Sequence, residues 1–365
     1  MRLIVTGGGT GGHVYPALEI ARLARADGHD VRYLGSIRGQ EGQACRDAGI
    51  EFVGFRVGPL RSLWTPAGLK DAWRTVRATG AARRELAGWG ADKVFSTGGF
   101  GSGPALLAAR SLRIPVVLLE QNTIPGRTHR IAGRYAETVC LVFEEAAENF
   151  QGRTVRTGMP LRAPLLRRAS EAAHSRRDAG VFTLCFGGSQ GAAALNEAVL
   201  TVALRVGAAG NRWLQVSGPK LYDSTVKAAE RLCRASTHEI RPFLDAGQMA
   251  EALARTDVAV ARAGAGTISE LALFGVPAIF VPYPYAHAGH QYHNARVIEK
   301  LGAATIIRQS ELTPEKLEAV WREWTEDETR RSVAANALRR WSAPDAGKRI
   351  METLNGIPDA DKSRD

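Results

Sequence analysis

The sequence predicts an α/β protein of two Rossmann-like, doubly wound parallel-sheet domains in tandem. Three observations predict it. Short, near-continuous apolar runs alternate with longer amphipathic runs, as expected for parallel strands buried on both faces and separated by helices. The alternation stops over 158–180, "GMPLRAPLLRRASEAAHSRRDAG", where prolines and charges crowd and strand signal is weak, and it restarts at Val181. Glycine-rich junctions follow four of the apolar runs, two in each half of the chain.

Taken in order, residues 2–6, 30–35, 51–55, 92–96, 115–119 and 138–142 read as strands of the first domain. The helix after the first strand, 14–27, gathers Ala17, Leu18, Ala21 and Ala24 on one face. In the second domain the strand runs are 181–186, 212–216, 257–261 and 278–281, and helical sequence fills about 313–354. The predicted division is therefore a first domain at 1–160, a linker at 161–180, a second domain with C-terminal helices at 181–355, and a polar tail at 356–365.

Composition narrows the function. With 365 residues there is length for two domains of ordinary size. Hydrophobic residues are 45% and charged residues 23%, which supplies ample core. No apolar run approaches the ~18 residues of a membrane span. The first strand begins at Leu3, so no signal peptide is expected. Cys45, Cys140, Cys185 and Cys233 are scattered, without a C-x-x-C pair, and read as buried thiols of a reducing compartment. The net charge of +11 points to an acidic partner: nucleic acid, anionic lipid or a phosphorylated substrate.

The four junctions make a phosphorylated ligand the leading reading. They are "GGGTGG" at 7–12, "GGFGSG" at 98–103, "GGSQG" at 187–191 and "GAG" at 264–266, each leading into a helix. Helix N-termini offer free N–H groups and about half a positive charge. In doubly wound sheets ligands bind beyond the carboxyl ends of the strands, so two such domains face their loops onto a cleft. Gly7, Gly9 and Gly12 fit G-x-G-x-x-G, but the second strand ends "VRYLGS", without the acid that would hold a nicotinamide ribose. Gly12 is followed by His13-Val14 rather than Lys-Ser/Thr, which argues against a Walker loop. The single Asp-x-Asp, Asp359-Ala360-Asp361, lies in the polar tail.

Further along, Glu270 stands about one turn into the helix that follows the fourth junction, where a carboxylate can accept both hydroxyls of a ribose; an ordinary first-turn acid is the alternative. Gln291 and Asn294 open the next helix with side chains suited to sugar hydroxyls. His287, His290 and His293 recur every third residue, but no thiol or carboxylate lies among them, so no metal site is expected.

The stretches "GGGTGGHVYPALEIA", "LEQNTIPG", "GGSQGA" and "RAGAGTISELALFGVPAIFVPYP…HQYHNA" together resemble the bacterial peptidoglycan glycosyltransferase family MurG, in the family's order from Leu3 to about Gly302 and more weakly to Leu354. The resemblance implies the GT-B fold of two Rossmann-like domains. It also implies transfer of N-acetylglucosamine from UDP-N-acetylglucosamine to undecaprenyl-pyrophosphoryl-N-acetylmuramoyl pentapeptide (lipid I), giving lipid II. Carried onto this chain, it assigns Glu270 to the ribose, and Ser189, Gly266 and Thr267 to the diphosphate. Arg162 and Leu244 fall to the uracil, and Gln291 to the transferred sugar. Thr10, Gly11, Gly12, His13, Phe100 and Asn122 fall to the sugar and acceptor on the first domain. Three positions depart from the family pattern: His290 stands where the family often has Gln, Met159 where it has Asn, and Phe100 where it has Tyr.

The chemistry of one-step displacement adds a mechanism. The acceptor 4-hydroxyl must lose a proton as it inverts the anomeric carbon, so a base in reach helps by typically ~10² to 10⁴-fold. His13, at the tip of the first loop, is the candidate base, with a loop-capping or substrate-orienting role as the alternative. Backbone amides can meet the charge on the leaving diphosphate, so no cofactor or metal is expected to be required. A lipid-linked acceptor calls for docking at a membrane, on the cytoplasmic face of the cell membrane. The segment 60–84 suits it: Leu63, Trp64, Leu69, Trp73 and Val76 are apolar, and Lys70, Arg74 and Arg77 are among its cations. Anionic inner-membrane lipids, and proteins of cell-wall synthesis and division, are the expected partners beside the two substrates. A nucleic-acid-binding module rests on charge alone, with no helix-turn-helix or zinc-finger spacing behind it. A related GT-B enzyme, such as a nucleotide-sugar epimerase or a glycolipid synthase, is the competing reading.

Overall fold

A computed structural model describes residues 1–9, 11–58, 65–172, 180–188, 191–207, 210–232 and 237–356. It divides into two compact units, Met1–Pro160 with Pro344–Asp365, and Leu161–Ala343.

The first unit is an all-parallel sheet of seven strands: β1 (Arg2–Thr6), β2 (Asp30–Ser36), β3 (Glu51–Phe55), β4 (Lys93–Ser96), β5 (Val116–Glu120), β6 (Thr138–Leu141) and β7 (Thr154–Arg156). Their order, β3-β2-β1-β4-β5-β6-β7, reverses direction beside β1, so the loops after β1 and β4 lie at the switch point. Leu3, Ile4, Val5, Val94, Phe95 and the whole of β5 are buried, as the unbroken apolar runs require.

The second unit repeats the plan in six parallel strands, β8 (Phe182–Phe186), β9 (Arg212–Val216), β10 (His238–Arg241), β11 (Val258–Ala261), β12 (Ala278–Phe280) and β13 (Ala304–Ile306), in the order β10-β9-β8-β11-β12-β13. The helix Pro314–Glu326 packs Trp321 on Trp213, with ring centroids 5.3 Å apart, and the Trp321 indole donates to Thr183 Oγ1 at 2.9 Å. The alternating β-α pattern is as expected. The edge strands β7, β10 and β13 were not expected: "HEIR" and three-residue runs carry too few apolar positions to register.

Two boundaries differ from the expected division. Within 161–180, Ala163–Ala172 is a helix, and its Leu165 is fully buried in the second unit. Arg168 pairs there with Glu251 at 2.8 Å. Arg167 and Glu171, two of the charges that suggested a linker, lie on the exposed face of this helix. At the other end, the helix Ala346–Leu354 belongs to the first unit rather than the second. It buries Ala346, Ile350, Met351 and Leu354. Gly347 lies over Leu23 of the helix Gly11–Ala26, and His29 Nε2 lies 3.2 Å from Asn355 Oδ1 just beyond it. Pro344 marks the return.

Candidate active site

On the first unit the loops after β1, β4 and β5 meet. The Gly8 amide donates to the Gly98 carbonyl at 3.0 Å, and the Thr97 amide to the Thr6 carbonyl at 3.0 Å. Gly99 sits at φ 82°, and a Cβ there would overlap the Gly8 carbonyl oxygen, so only glycine lets the two loops close. Beneath them the buried Glu41 accepts from the Gly9 amide at 3.1 Å. The helix starts at Gly11, three residues earlier than periodicity suggested, with Gly11 buried and Gly12 exposed. Phe100 is partly buried with its ring against Gly9. Thr10 lies outside the described residues.

His13 is locked by the backbone of the second loop. Its Nδ1 is 2.7 Å from the Thr97 carbonyl, and the Thr97 hydroxyl donates to the His13 carbonyl at 2.7 Å. Because a carbonyl can only accept, Nδ1 carries the hydrogen and the lone pair of a neutral ring is on Nε2. The Gln121 amide donates to the same Thr97 oxygen at 3.2 Å and fixes it further. Desolvation pulls the His13 pKa below its ordinary value, with the Thr97 bond and the charge of Glu120 pulling the other way. The ring is therefore held neutral at neutral pH, in the tautomer a base needs.

Asn122 follows β5, and its amide donates to Glu120 Oε1 at 2.9 Å. The other carboxylate oxygen of Glu120 faces His129. Glu120 and His129 were not among the expected site residues.

On the second unit, the loop after β11 leads through Gly264 into the helix Ala265–Phe274, whose first amides, including Gly266 and Thr267, have no side-chain cap. Glu270 lies one turn in, and Arg162 Nη2 is 3.3 Å from its Oε1. Burial raises the Glu270 pKa above the usual carboxylate range, and Arg162 draws it back down. Leu244 is buried just before Asp245, which caps the helix Ala246–Arg255 in a reciprocal capping box with Gln248. Gln291, in the first turn of His290–Lys300, accepts from the Tyr283 amide at 2.9 Å through Oε1, which leaves its amide nitrogen available. Asn294 is instead fully buried, its Nδ2 3.4 Å from the Ala263 carbonyl, and so acts as a tie between helix and loop rather than a sugar contact. Arg262 holds the loop after β12 by donating to the carbonyls of Val281 at 2.8 Å and Pro282 at 3.1 Å. Only its place just before the "GAG" turn could have drawn notice to it. Ser189 lies outside the described residues. Among the described residues no group of three or more His, Cys, Asp or Glu is arranged to hold a metal ion, the histidines at 287, 290 and 293 included.

The helix Pro66–Trp89 is capped by Thr65, whose hydroxyl accepts from the Gly68 amide at 3.1 Å. It buries Ala78, Ala82 and Leu86 and turns Leu69 (61% exposed), Trp73 (59%) and Val76 (70%) outward. Exposed Lys70 and Arg77 flank that stripe, with the Arg77 guanidinium 4.7 Å from the Trp73 ring centroid. Arg74 is paired with Asp71 at 3.3 Å. Leu63 and Trp64 lie outside the described residues. No described helix is long and apolar enough to cross a membrane.

Comparison with known proteins covers both units. Residues 3–141 match the glycosyltransferase family 28 N-terminal domain, and 182–350 the glycosyltransferase family 28 C-terminal domain. The chain is 33% identical over 365 residues to the UDP-N-acetylglucosamine–N-acetylmuramyl-(pentapeptide) pyrophosphoryl-undecaprenol N-acetylglucosamine transferase of Bacillus pumilus, covering 98% of this chain and 99% of that one. It is 36% identical to the transferase of the same description from Desulfitobacterium hafniense, covering 96% and 98%. A crystal structure of MurG from Acinetobacter baumannii superposes with a TM-score of 0.79 at 29% identity, covering 97% of this chain and 99% of that one. UDP-GlcNAc 2-epimerase from Neisseria meningitidis, at 12% identity and a TM-score of 0.69, shares the fold.

Proposed function

The chain belongs to glycosyltransferase family 28 and, within it, to the MurG transferases, and from that membership we infer how its residues carry out the reaction. It transfers N-acetylglucosamine from UDP-N-acetylglucosamine to N-acetylmuramyl-(pentapeptide) pyrophosphoryl-undecaprenol. In our reading the acceptor 4-hydroxyl attacks the anomeric carbon. A new C–O bond forms, the bond to the diphosphate oxygen breaks, UDP leaves, and the configuration inverts. The hydroxyl proton passes to Nε2 of His13.

The observation that carries this reading is the hydrogen bond from His13 Nδ1 to the Thr97 carbonyl, which leaves Nε2 as the proton acceptor. On the donor side, Glu270 accepts the ribose hydroxyls, with Arg162 beside it drawing its pKa back down against the effect of burial. Leu244 lies at the uracil, and Gln291 offers its amide nitrogen to the sugar. The uncapped amides at Ala265–Thr267 meet the charge that develops on the diphosphate, together with Ser189, so the step needs no metal or other cofactor. Thr10, Gly11, Gly12, Phe100 and Asn122 complete the sugar and acceptor side.

The outward stripe of Pro66–Trp89 docks the first unit on anionic lipid at the cytoplasmic face of the membrane. An aromatic and aliphatic row flanked by cations is the composition that interfacial binding favours. UDP release from UDP-N-acetylglucosamine in the presence of a short-chain lipid I analogue tests the reaction. Release that is identical without the acceptor would contradict it.

A further inference from the structure

We infer that the buried His129–Glu120 pair positions the transfer machinery: His129 donates to Glu120 and keeps it in register, Glu120 in turn holds the loop of Asn122, and the far side of the His129 ring holds the loop that carries Thr97. The inference rests on His13 being the base.

The pair is closed to solvent, with side chains 2% and 4% exposed, and His129 Nδ1 lies 2.9 Å from Glu120 Oε2. A carboxylate only accepts, so Nδ1 carries the hydrogen. On the far side of the ring, Nε2 lies 3.4 Å from Ser96 Oγ, which itself accepts from the Gly98 amide at 3.1 Å. With His129 neutral every group is satisfied in one direction: the Gly98 amide donates to Ser96, the Ser96 hydroxyl to Nε2, and Nδ1–H to Glu120. The second oxygen of Glu120 accepts from the Asn122 amide at 2.9 Å. The ring also packs beneath Gly98, which sits at φ 91°.

This chain of bonds reaches the residues that orient the base. Gly98 accepts from the amide of Gly8, and Thr97, between Ser96 and Gly98, supplies the carbonyl that binds His13. Three loops are thus pinned to one buried pair. A carboxylate buried so fully is costly unless donors surround it, and removing one donor leaves the charge poorly compensated. Glu120 and His129 are also the two titratable groups whose charges reach His13, Glu120 raising its pKa and a charged His129 lowering it.

The test is the pH profile of kcat/KM with a soluble lipid I analogue, in His129→Leu, His129→Gln and Glu120→Gln. His129→Leu removes the donor to Glu120 and the ring beneath Gly98, so the loops of Asn122 and Thr97 lose their common support. Turnover should fall on the order of 10-fold to 10²-fold, as for a displaced reacting group. In Glu120→Gln the acid limb should move to lower pH, because His13 loses the charge that raises its pKa. His129→Gln keeps an N–H toward Glu120 and should restore most of the turnover. Hydrogen exchange in β1, β4 and β5 reports whether the first unit of each variant is folded. If His129→Leu does not fold, Glu120→Gln decides, since it removes the charge with little change of shape. An unshifted limb in Glu120→Gln, or wild-type turnover in a folded His129→Leu, would overturn the inference while leaving the base assignment intact. Wild-type turnover in His13→Ala would instead overturn the base assignment, and this inference with it.

Discussion

His13 and Thr97, 84 positions apart in the chain, are joined by two hydrogen bonds of 2.7 Å: ring Nδ1 to carbonyl, and hydroxyl to the His13 carbonyl. The first fixes the tautomer and the second fixes the backbone that carries the ring. Burial holds the His13 pKa below its ordinary value, which favours the neutral ring at neutral pH. The expected kcat/KM profile therefore rises with pH through an apparent pKa below the ordinary histidine range and is flat above it. A limb centred above neutrality, measured with substrates that do not titrate there, would contradict this.

With Glu270 at the ribose, donor binding should depend on pH. Its pKa is raised by burial, and only the carboxylate can accept both ribose hydroxyls. UDP affinity should fall as pH drops through that raised pKa, and it should be constant above. Glu270→Ala should weaken UDP binding by ~1 to 3 kcal/mol, as for a lost charged acceptor. Calorimetry across mildly acidic and neutral pH reads both effects, and wild-type affinity in Glu270→Ala would refute the assignment.

Membrane docking should follow the stripe on Pro66–Trp89. Each cation near an anionic surface contributes roughly 1 kcal/mol, screened by salt. Binding to vesicles should rise with anionic lipid, fall with salt, and weaken in Leu69→Ala with Trp73→Ala through lost interfacial burial. Sedimentation that is indifferent to lipid charge and to these substitutions would exclude this surface.

The returning helix should stabilise the first unit. Ile350 is fully buried there, so Ile350→Ala should cost about 2 to 5 kcal/mol. Hydrogen exchange should quicken in β1 and the helix Gly11–Ala26 while β8 and β11 keep their protection. Loss of protection confined to the second unit would contradict the topology.

The sheet was legible because parallel strands buried on both faces leave unbroken apolar runs, and the glycine junctions mark their carboxyl ends. His13 and Glu270 drew notice for the same reason, since each follows such a junction closely. The return of Ala346–Leu354 was not, because an amphipathic pattern shows that a face is buried but not against which sheet. Ala163–Ala172 was hidden by its charged outer face. Glu120, His129 and Arg262 escaped notice because their roles lie in partners that only the fold brings together: Ser96 for His129, and the carbonyls after β12 for Arg262. Asn294 resembled a sugar contact in sequence for the same amide that the structure turns inward.

The most direct test of the account is the rate of UDP release from UDP-N-acetylglucosamine with a short-chain lipid I analogue, compared between the wild type and His13→Ala at neutral pH. The account predicts acceptor-dependent release in the wild type. It predicts a fall on the order of 10² or more in His13→Ala, with UDP affinity nearly intact. Release within a few-fold of wild type in His13→Ala would contradict it.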